Sequence, residues 1–236
     1  MESYNIPLRS AEAEFLEKKS RFITNIAPVS SEDEARAFLS TIREKYREAT
    51  HNVYAYRVMG YSESRKEADV YDRLAPGSVT AAKKPITNHG VCRHSDDGEP
   101  SGTAGVPLLD TFIKRDIYDF CCVATRYFGG ILLGAGGLTR AYSRCGTLAL
   151  EVSGLGIMRE MALCAIKLQY AQYESAKRVL IAGGAVIQTE DFAAEIGVEF
   201  LLPKNRLPDL QQRITELTLG TSNVQINGSK MHVCKE

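Results

Sequence analysis

Two segments of this chain gather the residues best able to do chemistry. The first is His94-Ser95-Asp96-Asp97-Gly98-Glu99, which sets three carboxylates and an imidazole within six residues. Hard cations favour oxygen ligands, so Asp96, Asp97 and Glu99 are candidates to hold magnesium beside a phosphate or to serve as a general base. The spacing is not that of an EF-hand loop, because no Glu follows at the twelfth position. The same residues also suit a tight turn. Asp side chains accept from nearby amides, Gly98 tolerates a positive φ, and Pro100 fixes the exit. Both readings stand, and neither a metal site nor a cofactor is assigned.

The second segment runs from Arg126-Tyr127-Phe128-Gly129-Gly130 to Gly136-Gly137-Leu138-Thr139-Arg140. A strand ending in Arg126 passes through glycines into a helix. Free amides at a helix start attract anions, and glycine lets a phosphate approach the backbone. Arg140 and Arg144 lie one turn apart on that helix, within reach of one anion. The candidate anion- or nucleic-acid-binding set is Arg93, Ser101, Thr103, Arg126, Gly129, Gly130, Gly136, Gly137, Arg140 and Arg144. Neither a Walker A loop nor a dinucleotide fingerprint is present. The plainer alternative is a loop that uses glycine for its dihedrals and for close helix packing.

Nucleophiles are present by type: Ser95, Ser101 and the cysteines. No nucleophile elbow surrounds them, and spacing pairs none of them with His51, His89 or His94. Tyr54, Tyr56, Tyr127 and Phe128 are able to stack on bases. The alternation around Tyr54 and Tyr56 marks a core strand first.

These residues must be positioned by regular elements. Phe22 to Val29 reads as a strand. Ser31 to Arg47 reads as an amphipathic helix, capped by a hydroxyl and led by acids. Asn52 to Met59 alternates as a strand should. Gly60 to Thr87 is polar and reads as a loop, and 93–105 is too rich in Gly, Pro and Asp for a regular element. A short helix over Val106 to Lys114, a buried strand over Asp119 to Tyr127 and a long helix over Leu138 to Val152 complete the first part. Cys121 and Cys122 should point to opposite faces of their strand.

After Gly154 and Gly156 the pattern changes. The expected strands are Leu163 to Tyr170, Ala185 to Glu190, Ala193 to Leu202 and Asn223 to Ile226. The expected helices are Ala171 to Ala182 and Leu207 to Leu217. This βαββαβ order, in about 70 residues, is that of a ferredoxin-like unit. The domains expected are therefore 1–153 and 154–236.

Composition limits the function. The 29 basic residues balance the 29 acidic ones, and the balance holds on both sides of Gly154, so any nucleic-acid binding needs a local patch. The six cysteines form no CxxC pair, which argues against a zinc ribbon or a disulfide framework. The opening MESYNIPLRSAEAEFLEKKS lacks an apolar signal region, and no run is long enough to cross a membrane. A cytoplasmic protein is expected.

Two long stretches resemble a known family. SDDGEPSGTAGVPLL (Ser95 to Leu109) and ATRYFGGILLGAGGLTRAY (Ala124 to Tyr142) are similar to the signature of the IMPACT/YigZ family, as are KKSRF (Lys18 to Phe22) and HNVYAYR (His51 to Arg57). The resemblance implies an α+β chain with two parts. The N-terminal part would be a two-layer α/β domain of the ribosomal-protein and ribonuclease-PH type, shared with domain IV of elongation factor G. The C-terminal part would be a ferredoxin-like domain similar to the last domain of that factor. It also implies a regulatory role linked to translation, with RNA or the ribosome as partner. The alternative is a magnesium-dependent or acid/base enzyme acting on a phosphate-containing substrate at the same face. A third reading leaves both motifs as turns around the core. The sequence names no oligomeric state.

Overall fold

The computed structural model describes residues 3–59 and 90–234. The loop expected over Gly60 to Thr87, and His89, lie outside the described residues. The chain mixes helices with antiparallel sheets. It divides into two compact units, Asn5–Gly156 and Ile157–Glu236, the second also taking in Met1–Tyr4.

Strand β1 (Ser3–Pro7) opens the chain. The Asn5–Gly156 unit builds its sheet from β2 (Ala11–Glu17), β3 (Ser20–Pro28), β4 (His51–Val58), β5 (Val91–Ser95) and β6 (Phe120–Tyr127). Their order is β2-β3-β6-β4-β5, each neighbouring pair antiparallel. β6 is central, and it is buried at every position from Phe120 to Arg126. One face of the sheet carries α1 (Glu32–Lys45), which packs Ala35, Leu39 and Ile42 with Tyr56, Val58, Cys121 and Val123. The other carries α2 (Gly105–Ile113) and α3 (Ala135–Ser153), which pack Leu108, Phe112 and Tyr142 with Phe22, Val53 and Cys122. Cys121 and Cys122 thus serve opposite cores.

The expected two-layer domain is corrected to three layers of helix, sheet and helix pair. An unbroken apolar strand such as β6 needs cover on both faces, and α1 supplies the second cover. α1 begins as its sequence dictates. Ser31 Oγ accepts from Glu34 N at 3.1 Å, and Glu34 Oε2 accepts from Ser30 N at 2.7 Å.

β2 has no strong strand signal of its own, because its apolar positions alternate with glutamates and are only half-buried at the sheet edge. It pairs with β3 from Ala11↔Ile26 to Glu17↔Ser20. That pairing leaves Lys18 and Lys19 as a two-residue hairpin turn.

The second unit runs β7 (Leu155–Leu168), α4 (Tyr170–Ala182), β8 (Val186–Phe192), β9 (Ile196–Pro203), α5 (Leu207–Thr218) and β10 (Gln225–Cys234), with a 3-10 turn at Lys204–Arg206. β7 pairs with both β10 and β9, and β9 with β8, all antiparallel, while β1 also joins β7. Alternate residues Cys164, Ile166, Val198 and Phe200 face Tyr173, Ala176, Leu180, Leu210 and Ile214 of the two helices. β7 and β10 run longer than their apolar stretches, because they pair from Ile157↔Cys234 to Gln225↔Ala165 through mostly polar and exposed residues. Among the described residues no helix is long and apolar enough to cross a membrane.

Candidate nucleic-acid interface

The acidic segment folds as a turn at the end of β5. Asp97 and Gly98 take φ of 46° and 87°. The helix that follows has Ala104 at its cap position, which offers no side-chain acceptor. Asp96 fills that role from eight residues upstream. Its Oδ1 accepts from Ala104 N at 3.1 Å and Gly105 N at 2.8 Å, and its Oδ2 from Gly102 N at 2.8 Å. Gly105 is needed there, since a Cβ would stand 2.8 Å from the Ser95 carbonyl.

Asp97 ties the turn to the sheet. Its Oδ2 accepts from Asn52 N at 2.6 Å and its Oδ1 from Arg43 Nη2 at 3.0 Å. His51 Nδ1 meets the Asp97 carbonyl at 2.8 Å, so that nitrogen carries the proton. All four oxygens of Asp96 and Asp97 therefore already accept hydrogen bonds. Among the described residues no group of three His, Cys, Asp or Glu is placed to hold a metal ion.

Glu99 behaves differently. β6 lies between β3 and β4, so Arg126 sits between Phe22 and His51 in register. There Arg126 Nη1 donates to Glu99 Oε1 at 2.7 Å, with both residues buried. Tyr142 OH, from α3, donates to the same oxygen at 2.7 Å. Burial, reinforced by the adjacent carboxylate, pushes this hydroxyl far above the usual tyrosine range, so it stays a donor. His51 Nε2 lies 3.9 Å from Glu99 Oε1. Arg126 Nη2 donates to Ser20 Oγ at 3.2 Å, and Ser20 Oγ also accepts from Gly129 N at 3.3 Å. The guanidinium carbon is 5.5 Å from the ring centres of both Phe22 and Phe128.

Arg126 is thus an internal fastener. It ties the acidic turn, the β2–β3 hairpin and the start of the glycine loop to one point, and its own charge is met by Glu99. Ser20 and Tyr142 were not among the expected site residues. Both lie inside the family-like segments, but nothing local in their spacing shows that they converge on Glu99.

The glycine loop lies directly on the hairpin. A Cβ at Gly129 would fall 2.0 Å from the Lys19 carbonyl, so only glycine allows this approach. Phe128 N donates to Thr50 Oγ1 at 3.1 Å, which fixes the loop from its other side. Gly130 and Gly134 have φ of 82° and 72°. Gly136 and Gly137 belong to the first turn of α3, not to the loop. Beyond the fastener the loop turns outward, exposing Phe128 (46%), Ile131 (41%) and Leu132 (83%).

The other candidates lie elsewhere. Arg140 and Arg144 are exposed on α3, and Arg144 sits 4.3 Å over the Phe15 ring and 4.0 Å from Glu17. Arg93 is exposed on β5 and donates to the Cys92 carbonyl. Ser101 is exposed, and Thr103 Oγ1 donates to Pro100 O at 2.7 Å. Tyr56 is buried with its hydroxyl on Glu32, and Tyr54 stacks beside it, so these two are core residues rather than base platforms. Burial pushes the Cys122 thiol up to about 12, and Cys121 and Cys145 also go up, which disfavours a thiolate nucleophile at any of them.

The fold and this arrangement define an α+β protein of two units, with a cationic and apolar surface mounted on an internal ion-pair network. Residues 18–150 match the Impact N-terminal domain, and 166–221 match a domain of unknown function (DUF1949). The chain belongs to the IMPACT family. It is 32% identical to IMPACT family member YvyE of Bacillus subtilis over 95% of this chain and 91% of that protein. It is 28% identical to IMPACT family member YigZ of Escherichia coli over 94% and 96%. Protein IMPACT of Rattus norvegicus is 30% identical over 56% of this chain and 34% of its own length. A crystal structure described as that of a hypothetical protein superposes with a TM-score of 0.54 at 26% identity, covering 95% of this chain and 97% of that one.

Proposed function

We propose that this chain is a nucleic-acid- or ribosome-associated regulatory protein linked to translation. Its contact face would be the surface of the Asn5–Gly156 unit around the glycine loop and α3. One observation carries the reading. Arg126 and Glu99 neutralise each other inside, while Arg140 and Arg144 remain exposed along α3, the helix that follows the loop supported by the buried pair. In this reading the exposed arginines meet phosphate and Arg126 holds their platform.

Two further points support it. The sheet order β10-β7-β9-β8, with both helices on one face, is the order a ferredoxin-like unit would have, and the family resemblance likens that unit to a translation-factor domain. The chain's zero net charge calls for a modest and salt-sensitive affinity, since only local cations attract the backbone. Fluorescence anisotropy of the full chain with labelled RNA, across a salt series, tests the proposal together with cosedimentation on purified ribosomes. Binding that weakens steadily with salt is expected. Absence of both RNA binding and cosedimentation at low salt overturns it.

A further inference from the structure

The turn of the β2–β3 hairpin is built against local preference. A two-residue turn with both residues at positive φ is the type for which Asn-Gly is favoured. Here Lys18 and Lys19 hold φ of 45° and 67°. Lysine gains nothing from that backbone and is strained by it. Neither side chain does structural work in return. Both are exposed, and among the described residues neither makes a hydrogen bond or ion pair. Strain retained without a packing benefit points to a use for the ammonium groups outside the fold.

What lies beside them is specific. Gly129 rests on the Lys19 backbone, and its amide is fixed by Ser20. Phe128 therefore leaves the sheet at the hairpin turn, with its amide held by Thr50. The ring has the Arg126 guanidinium 5.5 Å from its centre and is close to half exposed. It is a fixed aromatic face, so placing a base on it orders little that is not already ordered.

From this juxtaposition we infer that the hairpin turn and Phe128 form a docking surface for unpaired RNA, with a base stacked on Phe128 and neighbouring phosphates on Lys18 and Lys19. This rests on the function proposed above and specifies its ligand. An aromatic ring flanked by cations suits bases that are free to leave their own stack, which duplex RNA does not offer. An anionic membrane is the less fitting occupant. Its surface potential would attract lysines anywhere on the hairpin, and would not require them at two strained positions.

The test is anisotropy of the full chain with a fluorescein-labelled oligouridylate, and with an RNA duplex of equal length. The single strand should bind about tenfold more tightly, and Phe128→Ala should weaken it by about tenfold with little change on the duplex. The double variant Lys18→Asn/Lys19→Gly should raise the melting temperature, because it relaxes the turn. It should also lower the slope of log affinity against log salt by about 1.4, for two lost phosphate contacts. A variant that is more stable yet binds less well cannot be explained by misfolding. Wild-type binding by both variants overturns this inference, and leaves the proposed function standing if Arg140→Ala/Arg144→Ala still weakens binding. Equal affinity for single strand and duplex also overturns it. Failure to bind either RNA, with binding to phosphatidylserine vesicles instead, overturns this inference, and overturns the proposed function as well if the chain also fails to cosediment with ribosomes.

Discussion

Arg126 and Glu99, 27 residues apart, meet at 2.7 Å inside the N-terminal unit. Three other groups complete the cluster: the Tyr142 hydroxyl on the same carboxylate oxygen, Ser20 Oγ on the guanidinium, and His51 at 3.9 Å. A buried pair of this kind gains little over apolar side chains, but removing one partner strands a charge. Glu99→Ala and Arg126→Ala should therefore each cost about 3–5 kcal/mol. The double variant Glu99→Leu/Arg126→Met should cost clearly less than the two single losses summed. Urea unfolding followed by tyrosine circular dichroism measures this. Single losses below about 1 kcal/mol would show that water reaches the pair.

The two aspartates of the acidic turn should separate in the same assay. Asp96→Ala strands three amides, at Gly102, Ala104 and Gly105, and should cost about 2–3 kcal/mol. Asp97→Asn keeps an oxygen for Asn52 N and loses only its partly exposed pairing with Arg43, so it should cost about 1 kcal/mol or less. Equal losses for the two would contradict the capping role given to Asp96.

Much of the architecture was legible because its signals are local. Ser31 with Glu34 set the start of α1, and the apolar run to Arg126 read as a buried strand. β2 is not legible, because alternating glutamates conceal its half-buried face. The second cover on β6 is not legible, because a continuous apolar strand does not say what covers it. The site was legible in residue type but not in role. Spacing raised Asp96 and Asp97 as possible metal ligands, whereas their oxygens lie on amides that the sequence does not mark. Arg126 ends its strand facing inward, because β3 and β4 flank it and Glu99 returns to meet it. Only long-range pairing fixes that relationship.

Acid should destabilise the chain through its surface ion pairs. Glu12 is held below its ordinary value of 4.5, first by the hydrogen bond from Lys45 and then, against some burial, by Tyr46. Glu190 is lowered by Tyr173 and then Lys177. A carboxylate lowered in the folded state contributes stability that is present above the unfolded value and lost as pH falls through the folded one. The melting temperature should thus fall as pH drops below about 5, and Glu12→Gln/Glu190→Gln should flatten that fall. Lys45, raised to about 12 by Glu12, works in the opposite sense, its contribution fading only as pH rises through that value. An unchanged acid limb in the double variant would remove these pairs from the account.

The role of the exposed arginines is decided by the salt dependence of RNA binding by the wild type and by Arg140→Ala/Arg144→Ala. If the two exposed arginines meet phosphate while Arg126 stays within, the log–log slope should fall by about 1.4 with only a small loss of melting temperature, from the exposed contacts of Arg144 with Phe15 and Glu17. Identical slopes and affinities for the two proteins would contradict it.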